Sequence, residues 1–319
     1  SNTLQPLSDA LRVFSGSSHP ELAQEIAEYL GCNVCPRHTT KFSNDNLFVR
    51  LGTSVRGKDV VIIQSFCPDV SDHVLELLMM LDAARSASAK TVHAIIPYYS
   101  YARSDKKDQP RVPITARLVA DLLTTAGANR ILTVDLHAPQ IQGFFTIPVD
   151  ELTAVTLLSQ YFRAKRLGDL VVVATDIGIT KRARDVAANL GASLAIIEKR
   201  RLGNNDSTEA LNVIGEVGGR TALTVDDEID TAGSLTHVVE TLLNKGAREV
   251  YACATHAVLS GKAIERIRTC PVKEVVVTDT IPIREEKRLD KITVLSISSL
   301  LGEAIHRIHT GLSIGAMFE

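Results

Sequence analysis

The chain has 319 residues, 45% of them hydrophobic and 23% charged, with a formal net charge of −2. That length suits about two globular domains with real cores, and the near-neutral balance excludes the basic field of a DNA- or RNA-binding protein. No apolar run nears the roughly 20 residues that cross a bilayer. The opening SNTLQPLSDALRVF lacks a signal-peptide pattern, and the five cysteines suggest no disulfide framework, so the expected location is the cytoplasm.

In chain order, the first feature is Cys32 and Cys35, a CxxC pair with His38 nearby. Redox pairs open a helix, where the dipole acidifies the thiol; this pair follows a helical pattern and leads into a strand. No second pair is close enough to complete a zinc site. The expectation is an inert pair.

Short apolar, β-branched runs then alternate with helical patterns. The strand candidates are DVVIIQS (59–65), TVHAIIP (91–97), RILTVD (130–135), LVVVAT (170–175), TALTV (221–225), EVYACATH (249–256) and EVVVTD (274–279). They are continuously apolar, as strands buried on both faces are. In residues 234–245, Leu235, Val238, Val239, Leu242 and Leu243 share one helical face, and Gly246 supplies the stop. Strand, helix, strand, repeated, means α/β with parallel sheets.

A faint repeat relates residues 59–99 to 220–260, with SASAKTVHAI echoing NKGAREVYAC. The reading is two similar Rossmann-like domains, 1–152 and 153–319, meeting near residues 148–155. The last ~20 residues are placed as able to return to the first domain.

The stretch TVDDEIDTAGSL (224–235) carries the most chemistry. It ends a strand and opens a helix, where doubly wound sheets bind ligands. Small residues over Asp230–Ser234 (Asp230, Thr231, Ala232, Gly233, Ser234) let backbone N–H groups face an anion, and Thr231 and Ser234 add hydroxyls. Asp226 and Asp227 would accept from paired hydroxyls, so a sugar phosphate suits both halves. For two acids alone a solvated turn is the ordinary reading; with DTAGS and an amphipathic helix following, the phosphate loop is favoured.

That loop resembles the PRPP-binding loop of type I phosphoribosyltransferases. FSGSSHPELA, KFSNDN, YYSYARSDKKD, VDLHAPQIQGFF, VVVATDIGITKRA and IIEKRR fall in order along the chain. Together they resemble the class I ribose-phosphate pyrophosphokinases (PRPP synthetases) over essentially the full length. The resemblance implies two phosphoribosyltransferase-type domains. It also implies a ribose-phosphate diphosphokinase, moving the pyrophosphoryl group of ATP to the anomeric hydroxyl of ribose 5-phosphate, with PRPP and AMP as products. Neither a P-loop nor GxGxxG occurs, so the nucleotide is held otherwise.

By the same resemblance, Phe42, Asn44, Asp45, Asn46, Arg103, Ser104 and Lys106 bind ATP. His137 and Asp176 attend Mg²⁺, with Asp135 behind them. Lys199 and Arg201, expected after a strand at the start of a polar loop, stabilise charge on the transferring group, and Arg201 also contacts ribose 5-phosphate. The resemblance implies a homo-oligomer, a hexamer built from dimers, with an anion site near Ser54, Arg56, Ser86, Ser88 and Ser313. Neither nucleic acid nor membrane is an expected partner.

Two positions depart from the family pattern. Asn46 puts an amide where a carboxylate is usual, which bears on base selectivity because an amide both accepts and donates. Ile179 in DIGI stands where glycine is usual, and a β-branched residue cannot easily take the conformations open to glycine. Two alternatives share parts of this pattern: a phosphoribosyltransferase that consumes PRPP, which is commonly one domain, and a non-catalytic relative that regulates an active synthetase.

Overall fold

The computed structural model describes residues 9–201 and 209–318. The chain divides into two compact units, one of Ser1–Leu152, Thr280–Pro282 and Ser296–Glu319, the other of Thr153–Asp279 and Ile283–Leu295.

The first unit begins with β1 (Leu11–Ser15) and α1 (Pro20–Leu30), followed by a hairpin of β2 (Arg37–Lys41) and β3 (Leu47–Leu51). Then come β4 (Asp59–Ile63), α2 (Val70–Ser86), β5 (Thr91–Ile96), α3 (Thr115–Ala126), β6 (Arg130–Val134) and β7 (Val149–Leu152). Pro20 at the first turn and Gly31 in the left-handed conformation (φ 72°) bound α1. The strands β1, β4, β5, β6 and β7 lie side by side in that order, all parallel. Their apolar runs are buried, as in β4, where Val60, Val61, Ile62 and Ile63 are all core residues.

The second unit comprises α4 (Val155–Lys165), β8 (Leu170–Ala174), α5 (Thr180–Leu190), β9 (Ser193–Arg201), β10 (Glu209–Ile214) and β11 (Thr221–Ile229). It continues with α6 (Gly233–Asn244), β12 (Glu249–Ala257), α7 (Ala263–Thr269), β13 (Val275–Thr278) and β14 (Ile292–Leu295). The last helix, α8 (Ser298–Thr310), belongs to the first unit, where it packs on α1 and the Tyr29 hydroxyl donates to Glu303 at 2.6 Å.

In the second unit β8, β11, β12, β13 and β14 repeat the order of the first, again all parallel. In each unit a helix and then a hairpin separate the first strand from the second. The hairpins differ in attachment. β2–β3 is a separate two-stranded sheet, whereas β9 joins β8 in parallel and carries β10 antiparallel on the outer edge. The second sheet thus has six parallel strands and one antiparallel edge strand, β10.

Two expectations are corrected here. The strand expected over 221–225 runs on to Ile229, because β12 is equally long and keeps pairing it, Asp226 opposite Ala254 and Ile229 opposite Ala257. The acids thus lie within the strand. Lys199 and Arg201 likewise lie in β9 itself, opposite Leu211 and Glu209, since hairpin pairing with β10 prolongs the strand beyond the sheet. Arg201 closes that strand, and its side chain and residues 202–208 lie outside the described residues.

Candidate functional site

β11 outruns its neighbour β8, whose pairing stops at Val225 opposite Ala174. Asp226 therefore stands at the carboxyl end of the sheet beside the segment that follows β8. The Thr175 hydroxyl donates to one Asp226 oxygen at 2.8 Å, and the Asp227 amide N–H donates to the other at 2.8 Å. Asp227 is buried and Asp226 half-buried. Burial first, and then the hydrogen bond and charge of Asp227, raise the Asp226 carboxyl well above its ordinary range; Thr175 pulls it partly back.

Asp230 to Ser234 complete the turn into α6. Ala232 sits in the left-handed region (φ 64°, ψ 10°), a conformation costing an L-residue about 1–2 kcal/mol, and its side chain is buried. Thr231 and Ser234 on either side are exposed, and Ala232 provides no side-chain cap for the helix. The first N–H groups of α6 are thus set out for an anion, flanked by two hydroxyls. The next loop braces this turn. Ser260 Oγ donates to the Asp230 carboxylate, the Ser260 N–H donates to the Asp230 carbonyl at 3.0 Å, and Arg266 Nη1 donates to the Thr231 carbonyl at 2.9 Å.

After β8, Asp176 caps a single 3₁₀ turn, Ile177–Ile179, accepting from the Ile179 N–H at 3.1 Å. Ile179 adopts φ −95°, ψ 1°, which any residue can reach, so the loop does not use glycine-only geometry there. Its side chain is buried and anchors the turn, while Ile177 is 67% exposed. Lys199 is exposed on β9.

In the first unit, Phe42–Asn46 forms the exposed tip of the β2–β3 hairpin. The Phe42 N–H donates to the Asn46 carbonyl at 2.9 Å, the Asn46 N–H donates to Asn44 Oδ1 at 3.1 Å, and Asp45 is left-handed (φ 68°). Phe42 is 52% exposed and leans on Phe48, ring centroids 5.4 Å apart. Lys41 lies 3.4 Å from the Asp45 carboxylate and 2.9 Å from that of Asp72 on α2. Arg103, Ser104 and Lys106 follow β5 in a turn, with the Ser104 N–H donating to the Tyr101 carbonyl at 3.0 Å. Gln140 donates to Asp105 at 2.7 Å, tying this turn to the segment that carries exposed His137. Asp135 is buried, with φ 43°.

Asp176 fits a magnesium ion as one carboxylate ligand to be completed by waters and phosphate oxygens; its cap to Ile179 uses one of two oxygens. The His137 imidazole is a poorer match for so hard a cation. Cys32 and Cys35 remain free thiols, and burial raises both above the ordinary thiol value, which suits the inert reading. Sequence reasoning missed Thr175, Ser260 and Arg266. Thr175 lies inside a quoted motif, but no local signal marks Arg266, 35 residues from the carbonyl it holds.

Residues 11–127 match the family described as the N-terminal domain of ribose phosphate pyrophosphokinase, and residues 203–319 match the phosphoribosyl synthetase-associated domain. A Caldanaerobacter subterraneus protein named ribose-phosphate pyrophosphokinase is 54% identical over 311 residues, 97% of this chain and 98% of its own. One of that name from Oceanobacillus iheyensis is 51% identical over 310 residues, again 97% and 98%. The crystal structure of phosphoribosylpyrophosphate synthetase from Mycobacterium smegmatis superposes with a TM-score of 0.90 at 44% identity, covering 95% of this chain and 100% of that one.

Proposed function

The chain belongs to the ribose-phosphate pyrophosphokinase family, and from that membership we infer that it transfers the β,γ-pyrophosphoryl group of ATP to the anomeric hydroxyl of ribose 5-phosphate. The anomeric oxygen bonds to the β-phosphorus, and the bond from that phosphorus to the bridging oxygen breaks. AMP leaves with the bridging oxygen, the hydroxyl proton is released, and PRPP is the second product. The observation that carries this reading is the paired arrangement at the end of β11: carboxylates at Asp226 and Asp227, then an anion-ready helix start at Ala232–Ser234. It meets the hydroxyls and the phosphate of one small molecule.

Asp226 and Asp227 hold the ribose hydroxyls, and Asp230, Thr231, Ala232, Gly233 and Ser234 hold the 5-phosphate. Lys199 and Arg201, on a hairpin strand, bring cationic charge to the transferring group. The Phe42 face stacks on the adenine, and Asn44, Asp45 and Asn46 lie at its edge. Arg103, Ser104 and Lys106 bind the triphosphate. Asp176 is the carboxylate for Mg²⁺, with His137 as its companion. When bound, Mg²⁺ neutralises phosphate charge as the group transfers. The enzyme acts in the cytoplasm as a homo-oligomer, a hexamer of dimers.

The test is product analysis on the purified chain with Mg²⁺, ribose 5-phosphate and ATP. AMP and PRPP in equal amounts are expected. Saturable ribose 5-phosphate binding with no turnover on any nucleoside triphosphate would overturn the enzymatic reading.

A further inference from the structure

The phosphate loop presents a problem of charge. Asp226, Asp227, Glu228 and Asp230 lie within five positions, and the loop itself contains no Lys or Arg. A sugar phosphate dianion approaching Ala232–Ser234 meets a strongly acidic segment, and helix-start amides supply only partial positive charge.

Arg266 bears on this from outside the loop. It is half-buried on α7, and its Nη1 donates to the Thr231 carbonyl at 2.9 Å. A Cβ built on Gly233 would lie 3.7 Å from the same nitrogen, so the guanidinium reaches along the loop from Thr231 to Gly233. The bond also has a geometric effect. Thr231 C=O and Ala232 N–H belong to one trans peptide plane and point in opposite directions. Fixing the carbonyl on Arg266 therefore fixes the amide on the opposite side. The next residue, Ala232, is in the left-handed conformation at φ 64°, so rotation of this peptide would dismantle the run of amides that follows. Ser260 braces Asp230, the residue before, so two side chains from one segment clamp successive positions of the loop.

We propose that Arg266 is a positioning residue for the phosphate of ribose 5-phosphate, locking the Thr231–Ala232 peptide with its amide toward the anion and placing one full positive charge beside the acidic run. This rests on the assignment of Asp226–Ser234 to ribose 5-phosphate. The guanidinium lies on the carbonyl side of that peptide, so it acts on the anion through the amide it orients and through its field rather than by direct contact.

The experiment is steady-state kinetics of Arg266→Ala, Arg266→Lys and Asp226→Ala in the full-length chain. Arg266→Ala is expected to raise the KM for ribose 5-phosphate about 10- to 100-fold, the worth of a hydrogen bond to a charged group. The KM for ATP and kcat should stay near wild type. Arg266→Lys, which keeps the charge and one donor, should recover part of the loss, and its KM should keep a steeper salt dependence than that of Arg266→Ala. An unchanged ribose 5-phosphate KM in Arg266→Ala overturns the proposal if Asp226→Ala still raises it. A parallel rise in both KM values with a lowered Tm also overturns it, since that is a merely structural role. If neither Asp226→Ala nor Arg266→Ala moves that KM, the assignment of the loop itself falls.

Discussion

The two units share a strand order, and each carries a loop between its first strand and the helix that follows it, Gly16–His19 after β1 and Asp176–Ile179 after β8. The loops are put to opposite uses. In the first unit the anion position is filled by the protein's own buried Glu76 carboxylate, which accepts from the Ser17 N–H (2.7 Å), the Ser17 hydroxyl (2.6 Å) and Gln64 Nε2 (2.6 Å). Arg37 at the base of the hairpin sits 3.7 Å from the same carboxylate and donates to the Ser15 carbonyl at 2.7 Å. In the second unit the corresponding loop is capped by its own Asp176, and Ile177 and Gly178 are exposed. One loop is closed by an internal ligand and fixes a hairpin. The other presents Ile177 and Gly178 to solvent.

The comparison can be broken most directly at Glu76. Its removal in Glu76→Ala leaves Arg37 and the Ser17 donors without their acceptor, so a loss of about 3–5 kcal/mol is expected in chemical denaturation. The counterpart Asp176→Ala removes only a turn cap and should cost about 1 kcal/mol of stability while abolishing most activity. Equal stability losses in the two variants would mean that the loops are not divided as described.

The hairpins sharpen the same contrast. Lys199→Ala on β9 is expected to lower kcat about 100- to 1,000-fold, as loss of one transition-state donor does. Phe42→Ala on the β2–β3 tip should instead raise the KM for ATP, with kcat little changed. Unchanged turnover in Lys199→Ala would remove that hairpin from the chemistry.

Glycine substitutions give a smaller effect. A Cβ at Gly16 would lie 2.2 Å from Gln64 Oε1, so Gly16→Ala should destabilise by about 1–3 kcal/mol. At Gly178 the nearest atom is Asp176 Oδ1 at 3.1 Å, and Gly178→Ala should shift stability by less than about 1 kcal/mol. Thermal unfolding of the two variants side by side is the check.

The smallest expected effects are pH-dependent and of opposite sign. Burial favours protonation of Glu76, but the hydrogen bonds from Ser17 and Gln64 outweigh it and lower its pKa. Its stabilisation is therefore present above the ordinary glutamate range and is lost as pH falls through the lowered folded value. The gap in Tm between wild type and Glu76→Gln should narrow on acidification. Asp226 is raised, so its stabilisation is present below the ordinary aspartate range and is lost as pH rises through the folded value. Asp226→Asn should accordingly be more stable than wild type on the alkaline side, though poorer in ribose 5-phosphate binding.

Much of the sheet was legible because a strand buried on both faces has to be apolar throughout, as LVVVA in β8 is. The β2–β3 hairpin was legible only as a strand after Cys35, since RHTTK has no buried residue and leaves no core signature. Its anchor, Glu76, is a carboxylate within the otherwise amphipathic α2, and nothing local reveals that its oxygens meet residues 59 positions away. The strand ends were misjudged for a related reason. Asp226–Ile229 and Lys199–Arg201 are polar enough to suggest loops, yet pairing with β12 and β10 holds them extended.

The α/β alternation, the order of the motifs and the acid-then-small pattern of Asp226–Ser234 can be read from the residues alone, because they follow from burial periodicity and local backbone chemistry. Long-range packing alone sets Ile179 in ordinary backbone geometry, closes one loop on Glu76 and ties Arg266 to the Thr231 carbonyl. Those are bonds between residues distant in the chain, and their partners are fixed by strand order and packing, which no local pattern encodes.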